Sequence, residues 1–355
     1  MTQSSIISDY VLRQSSVLRA DLIFNWIQFN KHEPIPEELK YPGWQLYKNR
    51  FGCTPLLYWI EFRINEPIPE ELMLPDWKTH NYKFSRTPLM YWIEFRINES
   101  IPEELKYSDW ITCSGDNPLM YWIEFRNNEP IPGELFYPGW QTNKNNDNKT
   151  PLMIWIECRT CEPIPEELFY PGCQTHKDKH GNNPLMSWIR CKRDEPTPDE
   201  LLESQRGIPE ELKYPGWNLN IDDFDRSTLM YWIMCRSWFE PIPEELKYPG
   251  WQTHKDKFGK TPLMFWIIYG QKPIPEEFKY PGWQTDKDVH DQTPLMFWIA
   301  CRKNEPIPDE LKYSGWQTDK NMFGKTPLMF WNIYASSLPI PEELKYPGWQ
   351  TDIHE

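Results

Sequence analysis

A seven-residue motif, T-P-L-[LM]-x-W-I, returns along this chain with a period that leaves little choice of architecture. It starts at Thr54, Thr87, Asn117, Thr150, Asn183, Ser227, Thr261, Thr293 and Thr326, and a degenerate copy, Leu22 to Ile27, makes ten. Successive starts lie 30 to 34 residues apart, except for one interval of 44. A unit that short cannot enclose a core, so neighbouring copies must stack. One array over residues 22–355 is therefore expected in place of the two or three globular domains that 355 residues would otherwise suggest. Residues 1–21 read as a capping segment, with an amphipathic helix over 8–21.

The tryptophans follow the same period. Of 20, ten sit in the T-P-L motif, nine in a later P-G-W segment, and Trp238 alone falls outside. The 36 prolines are equally regular, which turns an apparent disorder signal into punctuation of helix starts and turns. Within one unit, Thr261 is a good N-cap and Pro262 suits the first helical position, where its missing N–H costs nothing. Leu263, Trp266 and Ile267 form one apolar face, and Gly270 is placed to end the helix in a left-handed conformation. Pro275 then starts a second helix of barely two turns, running to Tyr280 and stopped by Pro281-Gly282. The polar stretch Gln284–Gln292 leads as a hairpin to the next T-P.

These residues resemble ankyrin repeats, whose pattern of about 33 residues opens D-x-x-G-x-T-P-L-H. Asp256-Lys257-Phe258-Gly259-Lys260-Thr261-Pro262-Leu263-Met264 matches it with methionine for histidine, as do Asp178–Met186 and Asn321–Met329. The resemblance covers residues 22–355 and implies a mostly α, helix-turn-helix repeat solenoid. Trp266-Ile267 stands where the family has a small Ala-Ala pair, so helices must sit further apart or tilt. The family's use of hairpin tips and exposed inner-helix positions implies two sets of partner-binding residues here. The tips carry Phe51, Phe84, Phe224, Phe258 and Phe323, with His180 and His290 elsewhere. The inner-helix position two after each tryptophan carries Glu61, Glu94, Glu124 and Glu157, then Arg190, Met234, Ile268, Ala300 and Ile333. Each tip ring is either a binding anchor or packing against the next hairpin. The acidic-then-apolar face suits a partner with a basic part and an apolar part.

Other constellations dissolve into the repeat. Cys158-x2-Cys161 with His176-x3-His180 has near zinc-finger spacing, but Cys158 shares its position with Cys191, Phe62 and Tyr269, Cys173 replaces a P-G-W tryptophan, and His180 replaces Phe258. Asp222-Asp223-Phe224-Asp225 lacks the glycine and twelfth-position glutamate of a calcium loop. Glu-Glu pairs such as Glu166-Glu167 and Glu244-Glu245 recur in nearly every copy and point apart on a helix, which favours dipole complementarity over acid/base work. P-I-P keeps a fixed distance from a helix start and reads as a turn before a polyproline ligand.

A net charge of −14, from 38 basic and 52 acidic residues, argues against nucleic acid or an anionic membrane as main partner. Eight cysteines are too few for a disulfide scaffold. The first 25 residues hold no apolar stretch of signal-peptide length. The longest apolar runs fall far short of the ~20 residues that span a bilayer. The expectation is an intracellular, cytoplasmic, non-enzymatic scaffold that needs no metal or cofactor and binds a protein partner. The alternative is a self-associating structural repeat protein, told apart by concentration-dependent size.

Overall fold

A computed structural model describes residues 16–73, 87–106, 115–160, 162–191, 207–236, 241–270, 273–302 and 305–353. The chain divides into two compact units, Met1–Tyr170 and Pro171–Glu355. Among the described residues the first unit holds α1 (Ser16–Phe29), α2 (Pro55–Phe62), α3 (Pro88–Phe95), α4 (Pro118–Phe125) and α5 (Pro151–Cys158). The second holds α6 (Pro184–Cys191), α7 (Thr228–Arg236), α8 (Pro262–Tyr269), α9 (Pro294–Cys301) and α10 (Pro327–Tyr334). Within each unit every helix packs on the next in chain order. No strand occurs among the described residues, and the isolated bridge is Ile221 to Ser227. The first helix runs across the boundary expected between cap and first copy.

The helices begin as the motif predicts. The hydroxyls of Thr54, Thr87, Thr150, Thr261 and Thr326 and the side-chain oxygen of Asn117 accept the backbone N–H three residues on, with proline at the first helical position. Leu263, Trp266 and Ile267 are buried, and so are Met264 and Phe265. Burial wraps most of α8 because the helix has a neighbour on either side, α7 and α9.

The second helix is not there. Glu276–Phe278 form a single 3-10 turn, Lys279 is already extended, Gly282 is left-handed at φ 90°, and Trp283–Thr285 form another 3-10 turn. Pro275 is itself extended (ψ 146°) and Pro281 drives the preceding Tyr280 out of the helical region, so the residues between them have room for a single turn only. Gly270 also departs from expectation. Its φ is −78°, and a Cβ there would lie 2.8 Å from the Trp266 carbonyl oxygen, so glycine answers a close approach.

What replaces the second helix is a set of anchors. The leucines of P-E-E-L (Leu39, Leu105, Leu168, Leu246, Leu344) and the P-G-W tryptophans (Trp44, Trp140, Trp251, Trp283) are buried, as is Cys173 in place of tryptophan. The isoleucines of P-I-P are buried at Ile35, Ile242, Ile274 and Ile307 and half-buried at Ile68, Ile131, Ile164 and Ile340, so P-I-P is a packed turn. The paired glutamates form ion-pair ladders. A three-residue turn has little dipole to complement, and instead each lysine clamps both sides: Lys40 pairs with Glu37 at 2.6 Å and with Glu71 of the next copy at 2.5 Å, and Lys279 likewise with Glu276 and Glu310, both at 2.5 Å.

A further link between copies is a buried arginine just past the helix. Arg63, Arg96, Arg126 and Arg159 close α2 to α5, and the first three have almost no exposed surface. Arg96 Nε donates to the Ile60 carbonyl at 2.8 Å, Nη2 to that of Trp59 at 3.3 Å, and Nη1 to that of Glu66 at 3.1 Å. The Ile60 carbonyl is one of those left over at the end of the preceding helix. Nη1 also pairs with Glu99 at 3.1 Å, and the guanidinium lies 4.5 Å from the Trp92 ring centroid. Glu99 in turn accepts from the backbone N–H of Asn65, a left-handed residue of the previous copy. Arg302 repeats the arrangement in the second unit, donating to Ile267 at 3.1 Å.

Candidate partner-binding surface

Each hairpin is tied by the side chain of an aspartate or asparagine. Asp256 Oδ1 accepts the backbone N–H groups of Phe258 at 2.9 Å and Lys260 at 2.7 Å, while the Gly259 N–H returns to the Asp256 carbonyl at 2.8 Å. Asn49, Asn145, Asp178, Asp222, Asp288 and Asn321 do the same in their own hairpins. The residue before the left-handed position is the hairpin tip, and it is phenylalanine at Phe51, Phe224, Phe258 and Phe323, histidine at His180 and His290, and Asp147 in the remaining hairpin.

In the second unit the hairpins are also joined to one another. The backbone N–H groups of Asp223, Lys257, Val289 and Met322 donate to the carbonyls of His180, Phe224, Phe258 and His290 at 2.8 to 3.1 Å. The approach is close enough that a Cβ on Gly259 would lie 2.9 Å from the Val289 nitrogen.

Of the predicted tip residues, Phe51, Phe224, Phe258 and Phe323 are exposed, at 48%, 37%, 47% and 62%. Phe84 lies outside the described residues. Each described ring is exposed and yet touches a neighbour. Phe224 stacks on Phe258 with centroids 6.2 Å apart, His290 lies 5.8 Å from Phe323, and the Arg50 guanidinium sits 4.6 Å from Phe51. Packing on a neighbour and exposure as an anchor thus coexist in the same side chains. Val289 and Met322, at the tips of adjacent hairpins, are exposed as well. They stand one residue before the tip positions His290 and Phe323, and their apolar side chains beside a hairpin tip are the signal the sequence carries for them.

The glutamates are less open. Glu61, Glu94 and Glu157 are half-buried and only Glu124 is exposed. Burial, followed by the negative charge of Glu94, pushes the Glu61 carboxyl above the ordinary carboxylate range. Glu157 pairs with Lys149 at 2.5 Å. All four belong to the first unit. The corresponding Arg190, Met234, Ile268 and Ala300 of the second unit are half-buried, and Ile333 is exposed.

The remaining motifs have other occupations. Cys158 is exposed in the first unit, Cys161 lies outside the described residues, and Cys173 is buried in the second unit. No group of three or more potential metal ligands occurs among the described residues. The Asp222 carboxylate accepts from two backbone N–H groups, from Arg226 Nε at 2.8 Å and from the Tyr231 hydroxyl at 3.0 Å, so its lone pairs are already used. No helix among the described residues is long and apolar enough to cross a membrane. No protein-family model matches the sequence, and no curated protein is recognisably similar to it.

Proposed function

We propose that this chain is an ankyrin-like, non-enzymatic interaction scaffold that holds a protein partner on its hairpin tips, with the inner-helix face contributing. The observation that carries the reading is the set of exposed phenylalanines, each held at the apex of a side-chain-tied loop. Apolar side chains fixed this way lose little conformational freedom on binding, which is how a rigid surface gains affinity. Long repeat arrays serve as extended surfaces, and that step rests on analogy from architecture. The acidic row Glu61, Glu94, Glu124 and Glu157 would receive basic groups of the same partner. A soluble, cytoplasmic setting belongs to this proposal, as does the absence of catalysis, cofactor and nucleic-acid binding.

The test is capture of partners from a native lysate with the intact chain and with a variant in which Phe51, Phe84, Phe224, Phe258 and Phe323 are alanine. Both proteins must first show equal helicity. A partner lost only with the variant supports the scaffold. Recovery of nothing but the chain itself, with scattering mass rising with concentration, would instead establish self-association.

A further inference from the structure

The hairpin ridge of the second unit is chemically distinct from the chain that carries it. Over the three hairpins 254–260, 286–292 and 319–325, Phe258, Val289, Met322 and Phe323 are all exposed. The backbone rungs from Val289 to Phe258 and from Met322 to His290 fix their order.

Charge on this ridge runs opposite to the net charge of −14. Lys257, Lys320 and Lys325 are exposed, and among the five carboxylates of the three hairpins only Asp291 is. Asp256 and Asp288 are buried as loop acceptors. Asp286 and Asp319 are engaged by Lys255 at 3.7 Å and Lys287 at 3.1 Å. The exposed lysines thus stand among apolar side chains with little opposing surface charge. In an acidic molecule such a patch favours a partner of the opposite sign, because complementary charge steers the encounter and like charge suppresses it.

Resting on the scaffold reading, we infer that this ridge binds an extended protein segment that is acidic and carries apolar anchors, its carboxylates meeting Lys257, Lys320 and Lys325 and its apolar side chains covering Phe258 and Phe323. A basic segment would be repelled. A purely apolar one would leave the lysines unmatched.

The experiment is selection of random linear peptides displayed on phage against the full chain, followed by fluorescence anisotropy with the enriched peptides. Asp and Glu together with Leu, Phe or Trp should dominate. F258A and F323A should each weaken binding roughly tenfold, the usual cost of losing an aromatic anchor. The combined charge reversal K257E/K320E/K325E should weaken it at least about tenfold and reverse its dependence on salt, so that added salt no longer weakens binding. All substituted side chains are exposed, and unchanged thermal melting checks that the fold survives. Enriched peptides that are basic, or that ignore these substitutions and respond to E61K and E94K, would overturn the ridge assignment while leaving the scaffold standing. Absence of any binder, of whatever composition, would overturn both. Binding of phosphatidylserine vesicles in place of peptides, lost on the same substitutions, would overturn the inference in favour of a membrane surface.

Discussion

Removing Arg96 tests whether the arginine clamp, and not apolar burial alone, holds consecutive copies in register. In Arg96→Ala the carbonyls of Ile60 and Glu66 lose donors at 2.8 and 3.1 Å, and Glu99 loses the guanidinium at 3.1 Å. A buried polar group left without a partner costs about 1–3 kcal/mol, and breaking a buried ion pair from one side about 3–5 kcal/mol. These overlap, because the same guanidinium serves all of them, so about 4 kcal/mol is expected in total. That is a large part of the ~5–15 kcal/mol by which a domain is stable. Arg96→Lys should still cost about 2 kcal/mol, since a single ammonium cannot span carbonyls on three residues as a planar fork does. Glu99→Gln should cost about 1 kcal/mol, its amide oxygen remaining able to accept from Asn65. Urea unfolding followed by circular dichroism gives the total. Hydrogen exchange locates it: peptides covering α2 and α3 should lose protection while α8 keeps its own, as nearest-neighbour coupling in a repeat stack requires. An Arg96→Ala protein within about 1 kcal/mol of the parent would refute the reasoning, as would Arg96→Lys matching it.

Three further outcomes are expected. Gly259→Ala should destabilise by about 3 kcal/mol, because it adds contact at 2.9 Å with the next hairpin to the strain of φ +75°. Gly324→Ala, with φ +74° and nothing within 4 Å, should cost only about 1 kcal/mol; equal melting shifts would contradict this. Because burial, and then Glu94, raises the Glu61 pKa in the folded state, the stability gained by protonating it is fully present below its unfolded pKa near ~4.3 and is lost as pH rises through the folded value. Glu61→Gln should therefore melt higher than the parent at neutral pH, with the difference vanishing toward pH ~4; a gap that does not change with pH would count against it. Asp222→Ala should cost about 3 kcal/mol through its stranded N–H groups and Arg226, and calcium should leave the melting temperature of the parent unchanged.

The repeat, its helix starts and its buried face were legible because each rests on local chemistry. Threonine before proline caps a helix wherever it falls, and Leu263, Trp266 and Ile267 share a face by helical spacing alone. The tips were legible for a related reason: an aspartate or asparagine three residues before a glycine builds its loop from its own backbone contacts. The second arm was misjudged where two local signals compete. Glu276 and Glu277 favour a helix start, yet Pro275 and Pro281 leave room for no more than a 3-10 turn. Arg96 was invisible as a clamp, since its partners Trp59, Ile60 and Glu66 lie 30 to 37 residues away in sequence and meet it only when copies stack. The same holds for the lysine ladder from Lys40 to Glu71 and for the stacking of Phe224 on Phe258. What the sequence by itself determined was everything a single copy can satisfy within its own period: caps, turns, tip loops and an apolar face. What only the tertiary structure decided was how each copy's leftover carbonyls, charges and rings are met by the next, because hydrogen bonds and ion pairs depend on distances that a period in sequence does not contain.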